Sequence, residues 1–368
     1  MKKIRIAVMF GGRSAEHEVS LQSAKNVIES LDRHKYEPVL IGINKEGRWF
    51  LNEHSIQLQN SDDPKLVQLS GYEHEIALTP SGSNSQLISM REKTVFPKID
   101  VIFPVLHGPY GEDGTIQGLA RLANIPCVGA GILGSAVGMD KDVMKRLLRD
   151  AGIPNARFVT LSATNRHKIN YDALKSKLGN TLFVKPANLG SSVGISKVKN
   201  EKEFDEAVEL AFDYDLKVIV EEEIKGREIE CAILGSENPE ASVPGEIIPN
   251  ADFYSYHAKY IDAEGATLSI PAQLPEHLVK QIQDLALQTF RVLECQGMAR
   301  VDIFLTPDNR LFVNEINTIP GFTIISMYPK LWEYSGIAYA ELVDRLIQLA
   351  VEDHEKRSRL KVSMELGR

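Results

Sequence analysis

Two segments in the last third of the chain predict a β-hairpin with acidic side chains on one face. Residues 297–304 (GMARVDIF) and 314–321 (NEINTIPG) alternate polar with aliphatic side chains, and a Thr-Pro-Asp-Asn turn separates them. Side chains two residues apart share a face of a strand, so pairing these segments brings Asp302, Glu315 and Asn317 together. Two carboxylates and an amide oxygen suit magnesium, which also binds substrate phosphates. The competing interpretation is a polar sheet face without a ligand.

Length and charge narrow the classes of protein to which the chain can belong. At 368 residues it exceeds one typical domain, so two or three domains are expected. A net charge of −8 disfavours nucleic acid or an anionic membrane as the main partner, and no apolar stretch approaches the roughly 18–20 residues that span a bilayer. The three cysteines are far apart and odd in number, which is typical of the reducing cytoplasm. We expect a cytoplasmic protein without nucleic-acid or membrane partners.

The order of elements predicts an α/β (α+β) architecture with three units. A strand at 4–10, a glycine-rich turn, a helix at 16–31 and a strand at 39–43 begin an open parallel sheet. The polar, Ser/Asn-rich residues 52–95 are expected to form an insertion or irregular excursion. The pattern changes near residue 138, where a small α+β unit begins. We place the domains, in chain order, at 1–138, 139–225 and 226–368.

A glycine- and serine-rich loop at 188–194 follows a strand that ends in Lys185. Small residues allow backbone N–H groups to approach an anion closely, and the lysine adds positive charge. The loop lacks the Gly-Lys-Ser/Thr of a Walker A motif, and a simple hairpin turn is the alternative. Lys141, at the start of the central unit, is equally compatible with a solvated surface position. Lys185 differs, because a lysine that ends an apolar strand needs a partner.

Three further groups are candidates for the chemistry of a site. The acidic run at 221–228 lies at a junction between units, where it suits a hinge that holds a nucleotide, although a solvated loop explains it as well. His107 begins a glycine-rich loop at 107–114, and its alternative role is a capped turn residue. Glu16 lies in the predicted first turn of a helix, where a carboxylate also complements the helix dipole.

Taken together, these motifs resemble those of the D-alanine–D-alanine ligase family of the ATP-grasp superfamily, and the resemblance covers nearly the whole chain. Their order along the sequence agrees with the predicted domain order. The motifs are GGRSAEHEVS at 11–20, HG…GEDG at 107–114, MDK at 139–141, VKP with GSSVG at 184–194, GMARVD at 297–302 and NEINTIPG at 314–321.

The resemblance implies a three-domain ATP-grasp fold with ATP between the central and C-terminal domains. Lys141 and Lys185 are then expected at the phosphates, Glu221 and nearby backbone at the adenine, and Glu228 at the ribose. The residues implied to bind two magnesium or manganese ions are Asp302, Glu315 and Asn317.

The resemblance also implies two amino-acid sites. Glu16 is expected to bind the ammonium of the first D-alanine, within a hydrogen-bonded set that includes Ser191 and Tyr260, and His107 lies nearby. Four more residues have implied roles: Arg300 and the backbone of Gly321 at the anionic intermediate, and Ser326 and Met327 at the carboxylate of the second D-alanine. Lys259 and Tyr260 belong to a loop at 249–271 that is expected to close over the site.

The implied activity is ATP-dependent ligation of two D-alanines through a D-alanyl phosphate, supplying peptidoglycan synthesis, in a homodimer. Alternatives are another ATP-grasp carboxylate–amine ligase or a D-Ala–D-lactate ligase, and Tyr260 favours the dipeptide. A nucleotide-binding regulator without catalysis would lack a metal carboxylate or a phosphate lysine, and the sequence lacks neither. A nucleic-acid binder is disfavoured by the negative charge and by the lack of a basic stripe.

Overall fold

The computed structural model describes residues 2–52, 58–59, 68–69, 74–80, 87–92, 94–165, 170–249 and 266–361. The strands are β1 (Ile4–Gly11), β2 (Tyr36–Ile43), β3 (Trp49–Asn52), β4 (Leu58–Gln59), β5 (Gln68–Leu69), β6 (His74–Leu78), β7 (Leu87–Ser89), β8 (Val95–Phe96), β9 (Val101–Val105), β10 (Phe158–Ser162), β11 (Leu182–Pro186), β12 (Ser196–Val198), β13 (Lys217–Glu222), β14 (Arg227–Leu234), β15 (Glu240–Ala241), β16 (Gly245–Pro249), β17 (Ala266–Ser269), β18 (Met298–Leu305) and β19 (Leu311–Asn317). The helices are α1 (His17–Ser30), α2 (Thr115–Leu122), α3 (Ile132–Met139), α4 (Lys141–Asp150), α5 (Tyr171–Leu178), α6 (Glu201–Phe212), α7 (Glu276–Val292), α8 (Met327–Tyr334) and α9 (Tyr339–Ser358). Within these ranges, none of the helices has the length and apolar character needed to cross a membrane.

The N-terminal sheet has the strand order β8-β7-β6-β3-β2-β1-β9. Its centre is parallel, because β1 pairs in parallel with both β2 and β9, and this confirms the predicted parallel arrangement there. The expectation of an irregular excursion at 52–95 is wrong for its described part. Strands β6, β7 and β8 extend the sheet by antiparallel pairing. These strands are short and carry polar side chains, so the sequence shows only a weak alternation of polar and apolar residues there.

The central unit is a sheet of order β10-β13-β11-β12 in which every described pairing is antiparallel. Helices α5 and α6 contribute to its core, where Leu174 and Phe204 pack with Leu182 and Val220. Asn170 and Asn200 cap these helices by accepting hydrogen bonds from backbone N–H groups in their first turns. These caps fix the residues at which the two helices begin.

The C-terminal sheet has the order β17-β16-β14-β18-β19, with β15 beside β14. It confirms the predicted hairpin, since β18 and β19 pair in antiparallel fashion with Asp302 opposite Glu315. A register shift follows Asp302. The buried face of β18 packs against Ile282 and Phe290 of α7, so the polar side chains of the alternating pattern are directed to the other face.

Two hydrophobic cores cross the predicted domain boundaries. Met144 and Leu148 of α4 pack with the C-terminal sheet and α7, although α4 lies at the start of the predicted central unit. Phe103 of β9 and Phe322 contact each other edge to face, with ring centroids 6.0 Å apart, within a core shared by the N- and C-terminal parts. These packed contacts place the three large sheets around one polar region. The boundaries at 138 and 225 stay predictions.

Candidate active site

Lys185 and Glu221 form a buried ion pair at the centre of the polar region. Glu221 is directly opposite Phe183 in the β11–β13 pair, so Lys185, two residues further on, lies diagonal to it on the same face. Lys185 Nζ donates to Glu221 Oε2 at 2.7 Å, and Lys145 Nζ of α4 lies 3.0 Å from Glu221 Oε1. The second contact is an ion pair whose alignment is poor for a hydrogen bond. One carboxylate is thus compensated by two lysines.

The charge of Glu221 depends on these lysines. Burial by itself raises the pKa of the carboxyl group, but Lys145 and Lys185 outweigh it and lower that pKa to about 2. Burial in turn lowers the pKa of Lys145, and the charge of Glu221 opposes that shift. The carboxylate is therefore ionised at neutral pH.

Lys141 connects the glycine/serine loop with the acidic hairpin. It is the first residue of α4, whose N-cap Asp140 accepts a hydrogen bond from Val143 N at 3.0 Å. Its Nζ donates to Leu189 O at 2.6 Å and lies 3.3 Å from Glu315 Oε2. A single ammonium group therefore contacts both the predicted phosphate loop and a predicted metal ligand, which rules out the solvated surface position for Lys141.

The acidic hairpin carries a row of carboxylates that crosses three strands. Glu230 of β14 is opposite Asp302, and Asp302 is opposite Glu315. Arg300 forms two hydrogen bonds of 2.7 Å with Asp302 and lies 3.0 Å from Glu230, and Asn317 Nδ2 donates to Asp302 at 3.1 Å. Two-point contacts of this kind fix the plane of an arginine. The structure thus brings Asp302, Glu315 and Asn317 together as the alternation predicts.

The donor set fits a divalent cation that is completed by a ligand. In the described part of the chain, no group of three or more histidine, cysteine, aspartate or glutamate side chains is arranged to hold a metal on its own. Asp302 and Glu315 supply hard oxygens side by side, and magnesium commonly takes one or two carboxylates, with phosphates and water as its other ligands. These residues therefore suit a metal that arrives together with a phosphate.

Glu16 and Ser191 join the N-terminal and central parts of the site. Ser191 Oγ donates to Glu16 Oε1, and the backbone of Ser191 is in the left-handed region, with φ of 52°. Glu16 is the N-cap residue of α1 and is buried. Ser14 Oγ accepts a hydrogen bond from Glu16 N at 3.1 Å. The link between Glu16 and Ser191 spans 175 positions of sequence.

The loop at 107–114 contributes a buried histidine and a buried carboxyl group. His107 Nδ1 donates to Ile319 O at 3.0 Å, and burial lowers the pKa of this imidazole despite the nearby charge of Glu16. Glu112 accepts a hydrogen bond from Gly108 N at 3.0 Å. Burial, with the charge of Glu16, raises the pKa of Glu112 to about 8. A neutral imidazole and a protonated carboxyl group therefore lie behind Glu16 at neutral pH.

The segment after the hairpin places Gly321 beside Ser326. A β-carbon at Gly321 would come within 2.8 Å of Ser326 Oγ, so a larger residue here would require Ser326 to move. Ser326 Oγ accepts a hydrogen bond from Thr323 N at 3.0 Å. Met327 begins α8, and its side chain lies in the hydrophobic core. Its backbone N–H lies at the positive end of the helix, an environment that favours anions.

Glu228 lies beside the carboxylate row, two residues before Glu230 on β14. A small cavity of about 40 Å³ is lined by Glu228, Glu230, Asp302 and Glu315, among others. A second cavity of about 430 Å³ lies elsewhere, against the N-terminal strand and residues such as Lys98 and His354. The smaller cavity is the one that lies at the carboxylate row. The predicted residues Lys259 and Tyr260 lie outside the described residues.

Sequence reasoning missed three residues of this site. Lys145 follows Lys141 by one helical turn, and Glu230 follows Glu228 by the two residues that keep a side chain on one face of a strand. Glu112 lies inside a loop that the sequence already singled out. Spacing was therefore a usable signal for each of them, although it gave no measure of burial.

Comparisons with known proteins cover nearly the whole chain. The family model described as D-ala D-ala ligase N-terminus matches residues 5–130, and the one described as D-ala D-ala ligase C-terminus matches residues 147–348. The chain is 53% identical over 367 residues to a D-alanine–D-alanine ligase of Oceanobacillus iheyensis, a match that spans 100% of both sequences. The chain belongs to the D-alanine–D-alanine ligase family. This assignment confirms the resemblance that the motifs carry.

Solved structures of the D-alanine–D-alanine ligase family have the same fold. The ligase of Coxiella burnetii superposes with a TM-score of 0.83 at 42% identity and covers 97% of this chain and 98% of its own. A D-Ala:D-Ser ligase of Enterococcus faecalis gives a TM-score of 0.82 at 36% identity, over 95% of this chain and 100% of its own. The ATP-grasp prediction for the fold is thereby confirmed.

Proposed function

We propose that the protein joins two D-alanines to D-alanyl-D-alanine at the expense of ATP, releasing ADP and phosphate, as a step in peptidoglycan synthesis. Membership of the D-alanine–D-alanine ligase family supports this activity, and ATP and a divalent metal are the cosubstrate and cofactor that the family implies. The observation that carries the proposal is the position of Lys141. Its ammonium lies 2.6 Å from the glycine/serine loop and 3.3 Å from Glu315, where phosphate and metal would meet.

The first step activates the carboxylate of one D-alanine. Its oxygen attacks the γ-phosphorus of ATP, the bond to ADP breaks, and a D-alanyl phosphate with a good leaving group forms. Phosphoryl transfer of this kind depends mainly on positioning and on compensation of negative charge. Lys141 and Lys185 supply positive charge to the phosphates, and the Glu16–Ser191 pair positions the ammonium of this D-alanine.

The second step forms the peptide bond. The amine of the second D-alanine, after loss of a proton, attacks the acyl carbon, and phosphate leaves as the amide forms. Arg300, held in one plane by Asp302, and the backbone N–H of Gly321 stabilise the developing oxyanion. Ser326 and the first N–H of α8 bind the carboxylate of the second D-alanine.

The remaining assignments belong to the same proposal. Two magnesium or manganese ions, bound by Asp302, Glu315 and Asn317, would compensate charge on the transferring phosphoryl group. Glu228 would contact the ribose, and Glu221 with the backbone near it would contact the adenine. Lys259 and Tyr260 would lie in a loop that closes over the site and excludes water from the acyl phosphate.

The proposed setting of the enzyme is a homodimer in the cytoplasm, with domains at 1–138, 139–225 and 226–368. Free thiols at Cys127, Cys231 and Cys295 support a reducing compartment. The negative net charge supports small-molecule substrates rather than nucleic acid or anionic lipid.

Phosphate release from ATP tests the activity. The purified protein with Mg²⁺ and ATP is expected to release phosphate when D-alanine is present and to release little without it. Product analysis should give the dipeptide in equal amount to the phosphate. Release that is independent of D-alanine, or no dipeptide, would overturn the proposal.

The same assay separates the dipeptide from other products. D-Alanine is compared with D-lactate, D-serine and L-amino acids as the second substrate. We expect D-alanine to give the highest kcat/KM. A higher value for D-lactate would favour the ester-forming alternative, and a higher value for L-amino acids would favour a different carboxylate–amine ligase.

A further inference from the structure

Lys145 is a buried cation to which the proposed reaction assigns no role. It lies on α4 one turn after Lys141, and its Nζ is 3.0 Å from Glu221 Oε1 while Lys185 occupies the other carboxylate oxygen at 2.7 Å. Only 1% of Lys145 is exposed, compared with 2% of Glu221 and 8% of Lys185. Lys185, which is expected at the phosphates, is therefore the more accessible of the two lysines, and Lys145 is the more enclosed.

The three charges cannot be separated freely, because an uncompensated charge in a buried site is strongly unfavourable. Lys185 cannot turn toward a phosphate unless Glu221 keeps another cation. Lys145 supplies that cation, and it leaves the three groups with a net charge of +1 rather than zero. Without Lys145, Glu221 would have Lys185 as its sole close lysine and would hold it away from the nucleotide.

We infer that Lys145 is a positioning residue, which compensates Glu221 so that Lys185 is available to the phosphates of ATP. This inference rests on the proposed function, because it requires Lys185 at the phosphates. Lys145 acts through Lys185 and makes no contact with the nucleotide. Its removal should therefore weaken binding of nucleotide phosphates more than binding of the nucleoside.

Calorimetric binding of ADP and of adenosine, both with Mg²⁺, tests the inference in Lys145→Met. We expect the Kd for ADP to rise about 10-fold or more, which is typical for loss of a charged partner in a buried site, and the Kd for adenosine to change much less. In Lys185→Met, where the phosphate contact is already gone, adding Lys145→Met should leave the ratio of the two Kd values unchanged. Lys145→Gln, which is also neutral, carries the same comparison if the methionine variant does not fold.

Arg146→Met is the matched control. Arg146 is the next residue on α4, its side chain is exposed, and it pairs with Asp142 at 3.0 Å, so its loss removes a cation without touching Glu221. In this variant, the ratio of the Kd for ADP to the Kd for adenosine should equal that of the wild type.

Two outcomes would overturn the inference. Equal weakening of ADP and adenosine would mean that Lys145 only supports the fold, and additive losses in the Lys185→Met background would mean that Lys145 contacts the phosphates itself. D-Alanine-dependent phosphate release by the wild type is measured on the same preparation. Failure of that reaction counts against the proposed function, whereas normal release with an unchanged Kd ratio counts against Lys145 alone.

Discussion

Glu112 illustrates how a single carboxyl group links pH to stability. Its pKa in the fold is about 8, because burial and the charge of Glu16 disfavour ionisation. In the unfolded chain the group ionises near its ordinary value of 4.5. The folded state thus binds the extra proton between these values, so the contribution of Glu112 to stability is largest below about pH 4.5 and is lost as the pH rises toward 8.

Glu112→Gln should remove this dependence, because glutamine imitates the protonated carboxyl group. We expect the variant to gain stability over the wild type as the pH rises from 5 to 8, by roughly 2–5 kcal/mol at pH 8. Urea unfolding at a series of pH values measures the difference. Glu46→Gln, at an exposed carboxylate, serves as the control and should follow the wild type. A difference that does not vary with pH would mean that Glu112 is ionised in the fold.

Glu315→Gln tests the metal assignment at the same scale. The variant loses a hard oxygen and the ion pair with Lys141, while the D-alanine site near Glu16 is untouched. We expect D-alanine binding to persist and kcat to fall by about 100-fold or more, since charge compensation in phosphoryl transfer is worth several kcal/mol. A rise in the Mg²⁺ concentration needed for half-maximal rate should accompany the loss. Near-normal turnover would refute the metal assignment. Glu276→Gln is the control, because Glu276 is an exposed residue at the start of α7.

Elements with a clear period were predictable from the sequence. The β18–β19 hairpin follows from strict alternation, and it fixes Asp302 opposite Glu315 because register decides which side chains meet. Helix α3 was missed, since its sequence ILGSAVGM is nearly all small or apolar, and it has no polar face to mark the period. Because exposed positions such as Leu133 are apolar as well, amphipathicity does not reveal this helix.

Substitution by alanine should change the stability of the protein in opposite directions at two glycines in neighbouring helices. At Gly134 in α3 a β-carbon would come within 2.7 Å of Glu294 O, so Gly134→Ala should destabilise the protein by about 1–3 kcal/mol despite its better helix propensity. At Gly118 in α2 nothing lies within 4 Å of the added carbon, so Gly118→Ala should stabilise by about 0.4–1 kcal/mol. Urea unfolding measures both, and a stabilising Gly134→Ala would show that α3 does not pack tightly on that turn.

At the scale of the whole molecule, the candidate site lies where the three sheets meet. Ser191 of the central part reaches Glu16 of the N-terminal part, Lys141 reaches Glu315, and His107 reaches Ile319. The motifs predicted which residues belong to this site. They did not predict the distances between these residues, because the residues are far apart in the sequence. Lys145 and Glu230 were not predicted. Both are buried, and their partners Glu221 and Arg300 lie on other elements of the fold, so the sequence does not show that they meet.

Ser191→Ala separates the two substrates that this junction brings together. The hydroxyl donates to Glu16, whereas ATP is expected at the lysines, so the KM for the first D-alanine should rise more than the KM for ATP. Loss of one hydrogen bond to a charged group predicts a rise of about 10-fold for D-alanine, with ATP changed less than about 3-fold. Initial rates at varied D-alanine and varied ATP measure both. Ser176→Ala, at an exposed position of α5, is the control, because its hydroxyl donates to Asp172 O within the same helix. Unchanged kinetics in Ser191→Ala would remove this serine from the site, and an equal rise for both substrates would mean that it orders the phosphate loop instead.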